Sequence, residues 1–239
     1  MKLLDLTLPT PEENLACDEA LLESLESESG GEVLRFWESP THFIVLGSSN
    51  KVHEEVHVEA CRADNIPILR RHSGGGTVLQ GPGCLNYSLI LRIDSQGDTQ
   101  TLTSTNRHIL TRNAEVFSNL LNQAVEMKGS SDLAIEGRKI SGNAQRRRLN
   151  ALLFHGTFLL DVDLSLMEKY LTLPPKQPAY RAQRPHQDFV RNVRIDSFLL
   201  KNALQEQWGA TDGLAAISRE KIAALVREKY SLTEWNFKL

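Results

Sequence analysis

The sequence has no long apolar run, few cysteines and no excess of either charge, and each absence removes a class of protein. No stretch approaches the ~20 consecutive apolar residues that span a bilayer. The first residues, Met1-Lys2-Leu3-Leu4-Asp5, meet an acid at once and then Pro9 and Pro11, without the apolar core or small-residue cleavage site of a secretory signal. Cys17, Cys61 and Cys84 are odd in number, far apart and never in a C-x-x-C pair. They argue against a disulfide framework or a structural zinc site, and for a reducing compartment, the cytoplasm. The formal charge of -3 raises no field that would draw nucleic acid or a membrane as partner.

Two familiar site patterns are also missing, and a third is present but incomplete. A P-loop needs a Lys directly after its glycines at the mouth of a helix, and none follows here. A dinucleotide fingerprint needs Gly-x-Gly-x-x-Gly before a helix, whereas the glycine-rich stretch of this chain runs on as strand. His53-Glu54-Glu55-Val56-His57 satisfies His-Glu-x-x-His, which on a helix puts both imidazoles on one face for zinc. No third ligand follows at a familiar spacing, so the segment reads as a solvated surface helix.

What is present is an ordinary globular composition. With 239 residues, 41% of them hydrophobic and 24% charged, the chain suits one core of full size. No repeat, low-complexity tract or dividing linker interrupts it, so residues 1–239 are expected as a single domain. Alternation predicts strands at 3–8, 33–37, 43–46, 67–70, 77–79, 86–93, 132–136 and 152–160. Thr10-Pro11-Glu12-Glu13 starts a helix with a capping Thr, Pro in the first turn and acids at the positive end of the dipole. Helices are further expected at 52–63, at 103–127 and through the tail from 197. Strands and helices mix without strict alternation, so the expected class is α+β, or mixed α/β.

The densest glycine region carries the chemistry. In Arg70-Arg71-His72-Ser73-Gly74-Gly75-Gly76-Thr77-Val78-Leu79, three adjacent glycines remove every Cβ. The main chain can then approach a ligand closely and adopt φ > 0. Successive N–H groups make an anion-binding concavity, and Arg71 adds a fork of donors suited to phosphate or carboxylate. Glycines alone would equally make a tight turn; the arginines and the second cluster, Gly81-Pro82-Gly83, tilt the reading to a nucleotide site.

This loop, with Gly83, Asn86 and Ser88 after it, resembles the nucleotide and lipoate loop of lipoate–protein ligases. Gly137-Arg138-Lys139-Ile140-Ser141-Gly142-Asn143-Ala144 resembles that family's lysine motif, and Phe154-His155-Gly156-Thr157-Phe158-Leu159-Leu160 its following strand. Asn14-Leu15-Ala16 and Asp18-Glu19-Ala20-Leu21-Leu22 are similar as well. The resemblance runs in order over most of the chain. It implies a biotin/lipoate-ligase-like catalytic domain, a mixed sheet flanked by helices, binding lipoate and ATP. The implied reaction makes lipoyl-AMP and passes the acyl group to a lysine of a lipoyl-acceptor domain protein.

On this resemblance Lys139 is the catalytic cation. Arg71, Ser73, Gly74, Gly75, Gly76, Thr77, Val78 and Leu79 join it around ATP or lipoyl-AMP, and His155 and Gly156 lie at the acyl pocket. Asp132 matches an acidic position that would help hold Mg²⁺. Two departures stand out. Where ligases of the family carry a His-Asp pair and then an Asn, this chain has Gln80-Gly81 and Cys84. Gly81-Pro82-Gly83 is similar instead to the related octanoyltransferases, which leaves Cys84 as an alternative nucleophile for octanoyl or lipoyl transfer. The family's small C-terminal accessory domain is not expected, so a separate accessory protein is a candidate partner. A noncatalytic lipoyl-binding module is the third reading. Biotin ligation is disfavoured because the arginine–glycine–tryptophan loop is absent. Arg146-Arg147-Arg148 is either a solvated turn or a docking patch for an acidic acceptor.

Overall fold

The computed structural model describes residues 1–213 and 215–239. In chain order the elements are β1 (Lys2–Asp5), α1 (Pro11–Glu26), β2 (Val33–Trp37), β3 (Phe43–Leu46), α2 (Val52–Glu55), α3 (Val58–Ala63), β4 (Ile68–Arg70) and β5 (Val78–Gln80). There follow β6 (Cys84–Arg92), α4 (Leu102–Leu121), β7 (Glu126–Lys128), β8 (Asp132–Ile135), β9 (Arg138–Arg147) and β10 (Ala151–Leu159). The last helices are α5 (Ser165–Tyr170), α6 (His186–Phe189), α7 (Ser197–Gln207), α8 (Arg219–Leu225) and α9 (Thr233–Asn236).

A seven-stranded sheet runs β1-β2-β6-β10-β9-β8-β7 and a three-stranded one β4-β3-β5. Both are mixed, with β1–β2 and β3–β4 parallel and the other pairs antiparallel. The expected mixed sheet with flanking helices is what the chain forms. No helix among the described residues is long and apolar enough to cross a membrane.

Register assigns each face of the large sheet a different task. Leu34, Phe36, Tyr87, Leu89, Phe154 and Phe158 share one face by strand alternation and meet Ile109, Leu110, Val116 and Phe117 of α4 in one apolar cluster. Each large apolar side chain buried there contributes ~1.5–3 kcal/mol, which makes this face the foundation of the fold. On the opposite face, one end (Val33, Ile90, Leu153) packs under Ala16, Ala20 and Leu21 of α1. Further along, the same face turns polar: Arg35, Ser88 and His155 form one cross-strand row, and Asn86 and Thr157 the next. Polar groups within a sheet face mark the candidate site.

Three local expectations change. The helix at 103–127 stops earlier: Asn122 takes a left-handed conformation (φ 49°) after α4, and residues 126–128 pair as a strand with β8. The helix at 52–63 is two short helices, because Val56 is extended and bridges to Leu171. His53 and His57 therefore share no helical face, and Glu55, far from being solvated, is buried. Finally, β9 was not expected as a strand. Its residues Arg138–Arg147 are mostly half-buried, with glycine, asparagine and charge where alternation would show apolar residues.

Candidate active site

Lys139 is placed by a tight hairpin. Between β8 and β9 lie only Glu136 and Gly137, with φ of 51° and 71°, the twin positive values of a two-residue type I′ connection. Lys139 is thus the second residue of β9, and its side chain folds back over Gly142. A Cβ built on Gly142 would stand 2.7 Å from both Cε and Nζ of Lys139. The ammonium donates to Asp132 Oδ1 at 2.8 Å, and the Tyr180 hydroxyl donates to Oδ2 at 2.7 Å. An ammonium has three donors, so this pairing leaves two N–H bonds for other oxygens. The chain after α5 straps this hairpin down: Arg191 N–H donates to Lys139 O at 2.9 Å, and Arg138 Nη2 to the carbonyls of Gln187 and Val190, each at 2.9 Å. Within that strap, burial, with Arg181 and Lys139 adding to it, draws the His186 imidazole down to about 4. A neutral ring there adds no competing cation.

The glycine loop lies against the same strand. A Cβ on Gly75 would come within 3.3 Å of the Ala144 Cβ, and Ala144 pairs across to His155. Gly142 is two residues along β9 from Ala144, so Lys139 Nζ sits roughly 7 Å from this contact along the strand. Gly74 and Gly76 have open space where side chains would be, and Gly75 has φ of 90°. Arg71 holds the loop from within. Its Nε donates to Ser73 Oγ and Gly74 O, each at 3.1 Å, and Nη2 donates to Gly74 O at 2.6 Å and Gly76 O at 2.8 Å. The carbonyls of Gly74 and Gly76 are thus turned toward the guanidinium. Burial draws Arg71 down to about 10, against the pull of Glu55, so it stays cationic at neutral pH. The fork expected to face a ligand instead holds the glycine loop from within, through the carbonyls of Gly74 and Gly76. Thr77 is fixed in turn by Glu55, whose Oε2 accepts from Thr77 Oγ1 at 2.6 Å and from Asn50 Nδ2 at 2.5 Å.

Beneath the loop runs a charged row from three segments. Arg35 Nη1 contacts Asp18 Oδ1 at 2.5 Å, with both side chains sealed from solvent. Ser88 Oγ donates to Asp18 Oδ2 at 2.8 Å. His155 presents Nδ1 to the same oxygen at 3.5 Å, and its Nε2 lies 2.6 Å from Ser73 Oγ. Burial works to raise the Asp18 carboxyl, but Arg35, His155 and Ser88 together hold it down at about 2. Behind Ser73, His72 is drawn down to about 3 by burial, although Glu19 opposes this.

The remaining expected positions lie on the elements around the loop and hairpin. Val78 and Leu79 enter β5 beside β3. Gly156 alternates away from His155: a side chain there would collide with Asn143 Oδ1 and Tyr87 on the α4 face. Cys84 is buried in an apolar cluster with Ile44, Leu46 and Val162, and burial pushes its thiol up to about 12. A thiolate nucleophile needs the opposite environment, so the structure speaks against Cys84 in that role. Asp132 has both oxygens engaged, by Lys139 and Tyr180, so as an expected Mg²⁺ ligand it is better described as the lysine's counter-ion. Among the described residues, no three of His, Cys, Asp and Glu gather as a metal site. The basic run divides: Arg147 donates to the carbonyls of Thr99 and Gln100, Arg148 pairs with Glu23 at 3.4 Å, and Arg146 projects to solvent. Sequence reasoning gave no role to Arg35, Glu55 or Tyr180. Arg35 had a visible signal, a charge inside an otherwise apolar strand.

The profile of the lipoyl protein ligase A/B catalytic domain matches residues 10–200. Octanoyltransferase LipM of Geobacillus kaustophilus is 30% identical over 268 residues, spanning 95% of this chain and 94% of its own. Among solved structures, the bipartite lipoate protein ligase of Thermoplasma acidophilum, studied with its E2 lipoyl domain, superposes with a TM-score of 0.81. It is 27% identical and covers 99% of this chain and 95% of its own. A lipoate-protein ligase A bound with ATP superposes with a TM-score of 0.78 at 26% identity, covering 99% of this chain and 98% of its own.

Proposed function

The chain belongs to the family of lipoyl protein ligase A/B catalytic domains, and from its site we infer that it activates lipoate with ATP and transfers the lipoyl group to a lysine of an acceptor domain. The observation that carries this reading is the Lys139 ammonium, held over Gly142 by Asp132 beside a loop stripped of side chains. In the first step a lipoate oxygen attacks the α-phosphorus, the bond to the β-phosphate bridging oxygen breaks, and pyrophosphate leaves. Carboxylate and phosphate repel as they meet. The two free donors of Lys139 bridge them and stabilise the charge that grows on the phosphoryl oxygens. A unit charge 4 Å away in surroundings of effective dielectric 20 is worth ~4 kcal/mol, or roughly 10³ in rate. The loop N–H groups add a preorganised anion cradle.

In the second step the acceptor amine attacks the acyl carbon and AMP departs, and Lys139 polarises the carbonyl. Among the described residues the donor set does not fit a Mg²⁺ held by the protein, since both Asp132 oxygens are taken by Lys139 and Tyr180. The similar ligase solved with ATP supports ATP as the activating substrate, and the bipartite ligase studied with its E2 lipoyl domain supports the acceptor class. The bipartite composition of one of them also supports a separate accessory protein as partner.

A second reading, acyl transfer from a carrier-protein thioester without ATP, is favoured by the LipM relative. With Cys84 buried, it would proceed by direct attack of the acceptor lysine. The test is the mass of a purified apo lipoyl domain after incubation with the protein. A gain with lipoate and Mg-ATP supports the ligase. A gain only with octanoyl carrier protein supports the transferase, and no gain with either donor leaves a binding module.

A further inference from the structure

A carboxylate that holds a reacting ammonium can also withhold it. An unrestrained Asp beside Lys139 would offer both oxygens and draw Nζ away from the substrates. We propose that Tyr180 is a positioning residue for Lys139: by engaging the far oxygen of Asp132, it limits that carboxylate to a single contact and leaves the ammonium available to the reacting carboxylate and phosphate. This inference rests on the reading above, in which Lys139 serves acyl adenylation.

The three groups form a chain. Lys139 Nζ lies 2.8 Å from Asp132 Oδ1, and the Tyr180 hydroxyl donates to Oδ2 at 2.7 Å. The lysine side chain keeps 24% of its surface open and the aspartate 11%, so substrate can reach the ammonium while the carboxylate is largely covered. Tyr180 is itself firmly seated. It belongs to a single turn, Ala179–Arg181, followed by Ala182 and Gln183 in left-handed conformations (φ 51° and 60°). Its ring centre lies 5.1 Å from that of Phe189, and a Cβ built on Gly129, between β7 and β8, would come within 3.5 Å of its Cε1. Arg184 Nη2 donates to Tyr180 O at 2.9 Å and to Gly137 O at 2.8 Å. That fork ties the turn to the hairpin carrying Lys139.

A donor on Oδ2 acts on the lysine in two ways. It fixes the plane of the carboxylate, so that Oδ1 alone faces Nζ. It also draws charge from Oδ1, and substrate oxygens then compete for the ammonium on better terms. Both effects are larger in a partly buried site than in water. Burial, with the Asp132 charge adding to it, pushes the Tyr180 phenol above its ordinary value, so the hydroxyl remains a donor at neutral pH. Tyr180 takes no proton from substrate and acts through Asp132.

The test is Tyr180→Phe, which keeps the ring against Phe189 and Gly129 and removes one oxygen. Exchange of labelled pyrophosphate into ATP is followed across lipoate concentrations, with a melting curve in parallel. The maximal exchange rate is expected to fall about tenfold, the lower end of what one hydrogen bond to a charged group is worth. Half-saturating lipoate should stay within about twofold, the pattern of an interaction expressed in the transition state. In a Lys139→Ala background, assayed at high enzyme concentration, the same substitution should cost less than about twofold, because partners in one chain do not add. Tyr180→Phe at the wild-type rate overturns the proposal. So does a tenfold loss that persists without the lysine, which would make the hydroxyl a structural contact. A wild type lacking lipoate-dependent exchange refutes the adenylation reading and this proposal with it, and that result is recognised before any variant is made.

Discussion

Gly142→Ala isolates the lysine without touching it. A Cβ there would stand 2.7 Å from Cε and Nζ of Lys139, whereas non-bonded heavy atoms settle at ~3.5–4.0 Å. The ammonium must retreat by roughly 1 Å, and a displacement of that size at a reacting centre lowers the rate by about 10²-fold. Folding should hardly notice. Gly142 is not among the residues with positive φ, and the atoms in the way are the flexible end of one side chain. An extended strand gains ~0.5–1 kcal/mol when Ala replaces Gly, so the melting temperature should move by less than about 4 °C. The assay is the initial rate of lipoyl-domain acylation beside a thermal melt. Lys139→Ala alone should lower the rate roughly 10³-fold, and adding Gly142→Ala should take little more. A Gly142→Ala enzyme within twofold of wild type, or a loss that multiplies that of Lys139→Ala, would refute the reasoning.

Two other outcomes follow from buried groups. Cys84→Ala should keep acylation within about twofold, and thiol alkylation of the folded protein should not inactivate it, because burial raises Cys17 and Cys61 to about 11 and Cys84 to about 12; abolition by either treatment would restore the thioester route. The Asp18 carboxyl lies at about 2 when folded against 3.8 when free, so its ionisation favours the fold above the free value. That contribution, on the order of 2 kcal/mol, drains away as pH falls from about 4 through 2. Asp18→Asn should flatten the acid limb of a stability–pH curve. It should also melt about 6–20 °C lower, since an orphaned buried charge costs ~3–5 kcal/mol. An unchanged acid limb would contradict the pairing.

The sequence disclosed those elements whose physics is local. Thr10 and Glu13 cap each other reciprocally at the start of α1, and the apolar runs of β2, β3 and β10 pair where alternation predicts. β9 was illegible because its polar face is the site itself: Gly142 yields space to Lys139, and Asn143 and Gln145 bond to neighbours instead of packing in oil. The motif residues Ser73, Lys139 and His155 were visible as types in order, yet their partners were not. Asp18 and Arg35 lie 17 residues apart and meet only when α1 lies across the sheet. Arg71 shows the same limit from the other side, since its residue type suggested a ligand contact and its neighbours made it a scaffold.

The central claim is that Lys139 brings carboxylate and phosphate together, and exchange of labelled pyrophosphate into ATP reads that step without any acceptor. Wild type should show exchange that depends on lipoate, and Lys139→Ala should lose it by roughly 10³-fold with an unaltered melting curve. Lipoate-dependent exchange that persists at the wild-type rate in Lys139→Ala would contradict the account.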